Sequence, residues 1–224
     1  GALLGDRIRM NSISAPNIYM RSITNRDTSS EIPPTIPNII IACKAANFDL
    51  IIIETPGIGQ GDTAISDYAD ISLYVMTPEF GATSQLEKID MLDFADVICI
   101  NKLDRKGGLD ALRDVQKQVQ RNRHDFTNSP QNMPVFGAIA SRFADIGVSA
   151  LYQELIRQFE VKKLGDLKTS LELINVKASI PGNAIIPPDS QRYLSEIAKC
   201  VRDYHQHVNT QSRLVRERQQ LTES

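Results

Sequence analysis

Four apolar segments, none longer than seven residues, narrow the possible folds of this chain more than any other feature. They are "FDLIIIE" (48–54), "ISLYVM" (71–76), "VICINK" (97–102) and "PVFGAIA" (134–140). Each is rich in β-branched or aromatic residues and nearly continuous rather than alternating, the pattern of parallel strands covered on both faces. Helical patterns lie beside them: "IPNIIIACKAAN" before the first, "SQLEKIDMLDFA" before the third, "LDALRDVQKQVQRNRH" before the fourth and "GVSALYQELIRQFEV" after it. Strand–helix alternation of this kind predicts an α/β doubly wound, mostly parallel sheet flanked by helices. Right-handed crossovers then bring the strand C-termini to one edge, where such sheets bind ligands.

After residue 163 the texture changes. "KKLGDLKTSLELINVKASIPGNAIIPPDSQ" has short apolar pieces, a Gly-Asn turn and a Pro pair. From Ser190 a helical pattern resumes, with Tyr193, Leu194, Ile197, Val201, Tyr204 and Val208 near helical spacing; the charged end "RLVRERQQLTES" is expected to fray or dock elsewhere. The division is therefore a nucleotide-type α/β body, 1–163, and a linker with a helical docking extension, 164–224. A net charge of -2 over 224 residues offers nothing to a sequence-independent nucleic-acid binder. No apolar run approaches the roughly 18 residues of a membrane span. Cys43, Cys99 and Cys200 are an odd, scattered set that fits a reducing compartment, so the cytoplasm is expected. The opening "GALLGDRIRMN" has neither an initiator Met nor a helix-start signal and reads as a piece cut from something larger.

The chemistry concentrates after the strands. Glu54 ends the first segment and is followed by a Pro-Gly turn. A carboxylate there holds a Mg²⁺-bound water, and Gly57 lets its backbone N–H approach a terminal phosphate oxygen. Acid-x-x-Gly is common, however, and an ordinary strand-to-loop turn reads the same way. "NKLD" (101–104) is more telling. The Asp104 carboxylate matches two donors of guanine, the ring N–H and the exocyclic amino group, which adenine does not offer as a pair. Leaving that carboxylate unpaired costs roughly 1–3 kcal/mol per buried polar group, enough to discriminate. Asn101 would tie neighbouring loops and reach the base, while the Lys102 stem packs along the ring. In "GAIASRF" (137–143) the backbone at Ala140 and Ser141 lies where the purine carbonyl would be, though any strand end offers such a turn.

A phosphate-cradling G-x-x-x-x-G-K-[ST] loop is absent from residues 1–224; the only Lys before Ser or Thr is Lys168 in "DLKTS", without a glycine ahead of it. In a fold of this kind that loop follows the first strand, which places it upstream of Gly1. "GDRIRM" (5–10) is then legible as a loop facing nucleotide, Asp6 toward metal and Arg9 toward phosphate, although on its residues alone a charged surface turn is the plainer reading.

Together "GALLGDRIRMN", "FDLIIIETPGIGQGD", "VMTPEFGATSQLEKIDMLDFADVICINKLDRKGG" and "SRLVRERQQL" resemble the GTPase chaperone domain of the fused cobalamin-dependent acyl-CoA mutases, isobutyryl-CoA mutase type, and more distantly the stand-alone GTPase chaperones of methylmalonyl-CoA mutase. The run from Val75 to Gly108 is the specific part. The resemblance implies a P-loop GTPase fold lacking its first strand and phosphate loop, with Asp6 and Glu54 as Mg²⁺ ligands and Arg9 on GTP. It implies guanine binding by Asn101, Lys102, Leu103 and Asp104. The loop 57–70 would be a mobile relay segment, with Gln60 orienting water or relaying nucleotide state. In such a family GTP hydrolysis gates loading of adenosylcobalamin onto the mutase, which is an isomerase. GTP or GDP and Mg²⁺ would then be the ligands, and adenosylcobalamin would sit on the mutase partner domains. The partners would be the mutase and cobalamin-binding domains of the same parent chain, or a second copy in a homodimer.

The cobalamin-ligating D-x-H-x-x-G has only "DYHQHVN" (203–209) as a near match, with Asn209 following Val208 and no glycine in place. His205 and His207 therefore read as surface or docking residues on a helix. Two other readings stand beside the GTPase one: an interaction module acting through residues 190–224, and a metal-insertion GTPase serving another metalloenzyme. Without the phosphate loop, residues 1–224 alone are expected to be inactive.

Overall fold

The computed structural model describes residues 13, 15–23, 32–55, 64–79, 83–165, 167–180 and 193–223. Three of the four apolar segments form strands: β1 (Leu73–Met76), β2 (Val97–Ile100) and β3 (Val135–Gly137). They pair in parallel in the order β1-β2-β3. Met76 lies opposite Ile100, and Ile100 opposite Gly137, so all three strands end level at one edge. That alignment positions everything described below.

The central strand β2 is buried throughout, and its alternate residues face two different helices. Ile98 and Ile100, with Val135, pack in one cluster with Ala111, Leu112, Val115 and Val119 of a helix spanning Gly108–Asn122. Val97 and Phe136 pack on the opposite face with Ala150, Leu151 and Leu155 of the helix Ile146–Val161. A strand covered on both faces has no polar side to alternate, which is why "VICI" reads as a continuous apolar run. In chain order the helices are α1 (Ile36–Ala45), α2 (Met91–Phe94), α3 (Gly108–Asn122), α4 (Ile146–Val161) and α5 (Tyr193–Glu223). The α/β class with a parallel sheet flanked by helices is as expected from sequence. Among the described residues no helix is long and apolar enough to cross a membrane.

Two expectations need correction. Residues 48–54 do not form a buried strand: the segment pairs with no strand among the described residues, and Ile52 is 81% exposed. The outer side of β1 is open as well, with Leu73 and Val75 exposed. Apolar content reports what a segment can bury, not what is there to bury it, and here no neighbouring strand is present among the described residues to complete the ladder. Second, "SQLEKIDMLDFA" is not one helix but a 3-10 stretch, Thr83–Lys88, followed by the single turn α2. Leu86, Ile89 and Leu92 are all buried and recur every third residue, the period of a 3-10 turn. A continuous α-helix would rotate each about 60° from the last. The charged end of the chain is helical, with α5 continuing through Glu223.

Side chains clamp the other end of the sheet. The Ser72 backbone N–H and hydroxyl donate to Asp96 Oδ2 at 2.8 and 3.0 Å. Lys162, just past α4, donates to Asp96 Oδ1 and to the Asp70 carbonyl, each at 2.7 Å. The starts of β1 and β2 and the end of α4 are thereby joined by one carboxylate.

The burial pattern separates two otherwise similar isoleucines. Ile98→Ala is expected to cost about 2–5 kcal/mol in equilibrium urea unfolding, the range for truncating a buried aliphatic side chain. Ile52→Ala is expected to stay within about 0.5 kcal/mol of the parent. Equal losses would place 48–54 in the core after all.

Candidate functional site

The level edge formed by the three strand ends carries two loops that hold each other in place. Beyond β2, the Asn101 backbone N–H donates to the Met76 carbonyl at the end of β1 (2.8 Å), and the Leu103 N–H donates to the Ala138 carbonyl beyond β3 (3.1 Å). The Asn101 side-chain oxygen accepts from the Lys102 N–H at 2.8 Å and from the Ala140 N–H at 3.1 Å. One short side chain thus fixes its own loop and ties it to the next, 39 residues away. Lys102 pays for the arrangement with a left-handed backbone, φ 59°, a conformation that non-glycine residues adopt at a cost of roughly 1–2 kcal/mol. Its side chain is exposed, and so is that of Asp104, whose carboxylate has no hydrogen-bond or ion-pair partner among the described residues.

Leu103 lies beneath the loop. Its side chain is 1% exposed and belongs to the core cluster with Ile98, Ile100 and Val135. Only its backbone faces the loops, so it anchors the motif from below and offers no side-chain contact to a ring. Two glycines then allow α3 to start directly under it. Gly107 has φ 80°, and a Cβ on Gly108 would stand 2.1 Å from the Leu103 carbonyl oxygen. Beside the loop, Arg105 forms an ion pair with Glu79 beyond β1; both are more than half exposed, so the pair adds little to stability.

The loop after β3 turns tightly, with the Arg142 N–H donating to the Ile139 carbonyl at 2.8 Å. Ala140 and Ser141 are exposed at its tip. The Ala140 N–H is committed to Asn101, whereas the Ser141 N–H has no partner among the described residues. Underneath, Asp145 is buried and its Oδ2 accepts from the Ile139 N–H at 3.1 Å and from the Val148 N–H at 3.0 Å, so it caps α4 and braces the loop together. Burial first, and the Asp145 charge second, push the nearby Cys99 thiol up to about 12, so it remains a neutral thiol below the site. Asp145 was missed in the sequence, although an Asp immediately before an apolar helical pattern is a start signal that marks it.

The structure therefore brings Asn101, Lys102, Leu103, Asp104, Ala140 and Ser141 together along one edge. Glu54 is described and exposed at the end of its unpaired segment, and it makes no hydrogen bond or ion pair with that group. Asp6, Arg9, Gly57 and Gln60 lie outside the described residues. Among the described residues no three His, Cys, Asp or Glu side chains converge as a metal cage. Glu54 fits Mg²⁺ by its donor chemistry, as a single accessible carboxylate of the kind that serves an ion keeping most of its ligands as water and phosphate.

Two variants separate the tie from the turn. Asn101→Ala removes the acceptor shared by two N–H groups and is expected to cost about 1–2 kcal/mol in thermal or urea unfolding. Gly108→Ala forces a Cβ onto a backbone oxygen and is expected to cost about 2 kcal/mol or more. A neutral Gly108→Ala would show that the approach of α3 to Leu103 is not tight.

Comparison with known proteins gives the family of the chain. The family model of the methylmalonyl Co-A mutase-associated GTPase MeaB matches residues 1–172. The fused isobutyryl-CoA mutase of Cupriavidus metallidurans is 58% identical over 221 residues, covering 99% of this chain and 20% of the relative. Its counterpart in Paraburkholderia xenovorans is 55% identical over 231 residues, 100% of this chain and 18% of the relative. That of Nocardia farcinica is 53% identical over 211 residues, 94% and 20%. The chain spans about a fifth of the length of these relatives. With more than half of its residues matched by one family model, the chain belongs to the methylmalonyl Co-A mutase-associated GTPase MeaB family.

Proposed function

We propose that this chain supplies the base-recognising half of a guanine-nucleotide site in a GTPase chaperone of a cobalamin-dependent acyl-CoA mutase. The observation that carries the reading is the Asn101 tie, which sets Asp104 and Ser141 along one sheet edge, the Asp104 carboxylate and the Ser141 N–H both without a partner among the described residues. Asp104 accepts from the guanine ring N–H and the exocyclic amino group; the Ser141 N–H donates to the purine carbonyl; the Lys102 stem lies along the ring face. Ala140 contributes by holding the loop to Asn101, and Leu103 by anchoring it to the core.

Toward the phosphates, Glu54 and Asp6 would hold Mg²⁺, Gly57 and Arg9 would approach the terminal phosphate, and Gln60 would orient the attacking water. The metal, when bound, neutralises charge developing on the phosphoryl oxygens. Hydrolysis of GTP would gate delivery of adenosylcobalamin to the mutase and cobalamin-binding domains of the same parent protein, in the cytoplasm. Residues 1–163 form the nucleotide body of this proposal and 164–224 its extension. No G-x-x-x-x-G-K-[ST] loop occurs in the sequence, so residues 1–224 by themselves would bind nucleotide weakly and turn over little.

A second reading is favoured by α5. Ile197, Val201, Tyr204, Val208 and Val215 are all exposed and fall near a 3.5-residue repeat along a 31-residue helix, the pattern of a helix that packs against another. It would serve as a docking element for the mutase portion or for a second copy of the chain.

Exchanging the guanine selector tests the first reading. In the complete protein carrying this chain, Asp104→Asn replaces an acceptor by a donor, which suits the 2-oxo group of xanthine. GDP affinity is expected to fall about 100-fold, the loss of two charge-assisted hydrogen bonds, and XDP affinity to rise. Calorimetry measures both. Unchanged GDP binding would remove Asp104 from the site, and micromolar GDP binding by residues 1–224 alone would show that the phosphate side is not needed.

A further inference from the structure

The loop that carries the carbonyl contact is braced from a part of the chain lying beyond the family match. Residues 172–180 run back along the GTPase body: the Gln153 side chain donates to the Glu172 carbonyl (2.7 Å) and accepts from the Ile174 N–H (3.0 Å). The segment then adds itself to the outer side of β3. The Gly137 N–H donates to the Lys177 carbonyl (2.8 Å), the Ser179 N–H donates to the Gly137 carbonyl (3.0 Å), and Gly137 and Ala178 form a parallel bridge. Lys177 holds the approach by donating to the carbonyls of Asn132 and Met133. The family model ends at residue 172, whereas similarity to the fused mutases covers 99% of the chain.

Ser179 is the deepest point of this contact, at 2% exposure. Its hydroxyl donates to the Asp145 carboxylate, 2.6 and 2.7 Å from the two oxygens, and accepts from the Gly147 N–H at 3.2 Å. Asp145, itself 3% exposed, spends Oδ2 on the Ile139 N–H. The chain of contacts therefore runs Ser179, Asp145, Ile139, and then directly to Ala140 and Ser141 at the exposed tip. Space is closed around it: a Cβ on Gly147 would lie 2.4 Å from the Ser179 oxygen and 2.1 Å from the Gly137 carbonyl oxygen. A buried carboxylate keeps its orientation only while its acceptor sites are filled, because an unfilled one is costly in a low-dielectric interior.

We infer that Ser179 is a positioning residue for guanine recognition, acting through Asp145 to set the turn that offers the Ser141 N–H to the purine carbonyl. This rests on the guanine reading above. It makes base affinity depend on whether residues 172–180, the stretch leading toward α5, are seated on β3, so that the extension and the nucleotide are coupled through one buried hydroxyl.

The test uses the complete protein and three nucleotides: GDP; 6-thio-GDP, whose sulfur is a poorer acceptor than the carbonyl oxygen; and IDP, which lacks only the 2-amino group. The parent is expected to prefer GDP over both. In Ser179→Ala the preference for GDP over 6-thio-GDP is expected to shrink by about fivefold, the size of one hydrogen bond. Preference over IDP, which reports Asp104, is expected to hold. Asp145→Asn, which keeps the side-chain shape, should move the same ratio and serves if Ser179→Ala does not fold. Uniform weakening of all three nucleotides, or no change, would overturn the inference and leave Ser179 a packing residue. So would a parent that binds GDP and 6-thio-GDP equally. A parent that binds no guanine nucleotide at all would instead sink the guanine reading itself.

Discussion

Two backbone N–H groups, those of Lys102 and Ala140, share the side-chain oxygen of Asn101. The candidate site depends on that shared acceptor. Parallel pairing with level strand ends brings the two loops to one edge, but it does not by itself fix their tips. A hydrogen bond of this sort is worth only about 0.5–1.5 kcal/mol net. Its importance lies in what it holds: a lysine with left-handed backbone and an aspartate without a partner among the described residues, neither of which an isolated loop would keep in place. Beneath it, Leu103 converts the same four residues into part of the core, so the motif is anchored by burial and oriented by one amide.

Backbone irregularities follow a division that supports this view. Asn47, His124 and Lys163 have positive φ just beyond the ends of α1, α3 and α4, where left-handed residues close helices. Lys102 and Ala144, also positive, fall instead in the loops after β2 and β3. Strain that ends a helix is routine; strain in loops along the ligand-binding edge of a parallel sheet is the kind retained for function.

Much of this was legible in the sequence for reasons that can be stated residue by residue. "VICI" announces a strand buried on both faces because it has no polar alternation, and "NKLD" after it lands at the edge because parallel strands end there. Leu103 entered the ligand set with its neighbours by resemblance; its side chain lies in the core, which leaves its backbone as the part a ligand could meet. "FDLIIIE" misled because hydrophobicity signals burial without naming the partner. The break in "SQLEKIDMLDFA" was hidden because a three-residue apolar repeat resembles an α-helical face over so short a span. Ser179 left no local signal: its role comes from a contact with Asp145 across 34 residues, created by the return of 172–180 onto β3. Asp6, Arg9 and Gln60 rest on resemblance and on the chemistry of their side chains, and Gly57 on the acid-x-x-Gly spacing that frees its backbone N–H.

The account stands on Asp104 and the 138–141 turn facing the same purine. A crystal structure of the complete protein with GDP tests this most directly. The account predicts both Asp104 oxygens within about 2.7–3.2 Å of the guanine ring nitrogen and amino group, and the Ser141 nitrogen within the same range of the purine carbonyl oxygen. A base bound with Asp104 pointing to solvent, or held by any other edge of the sheet, would contradict it.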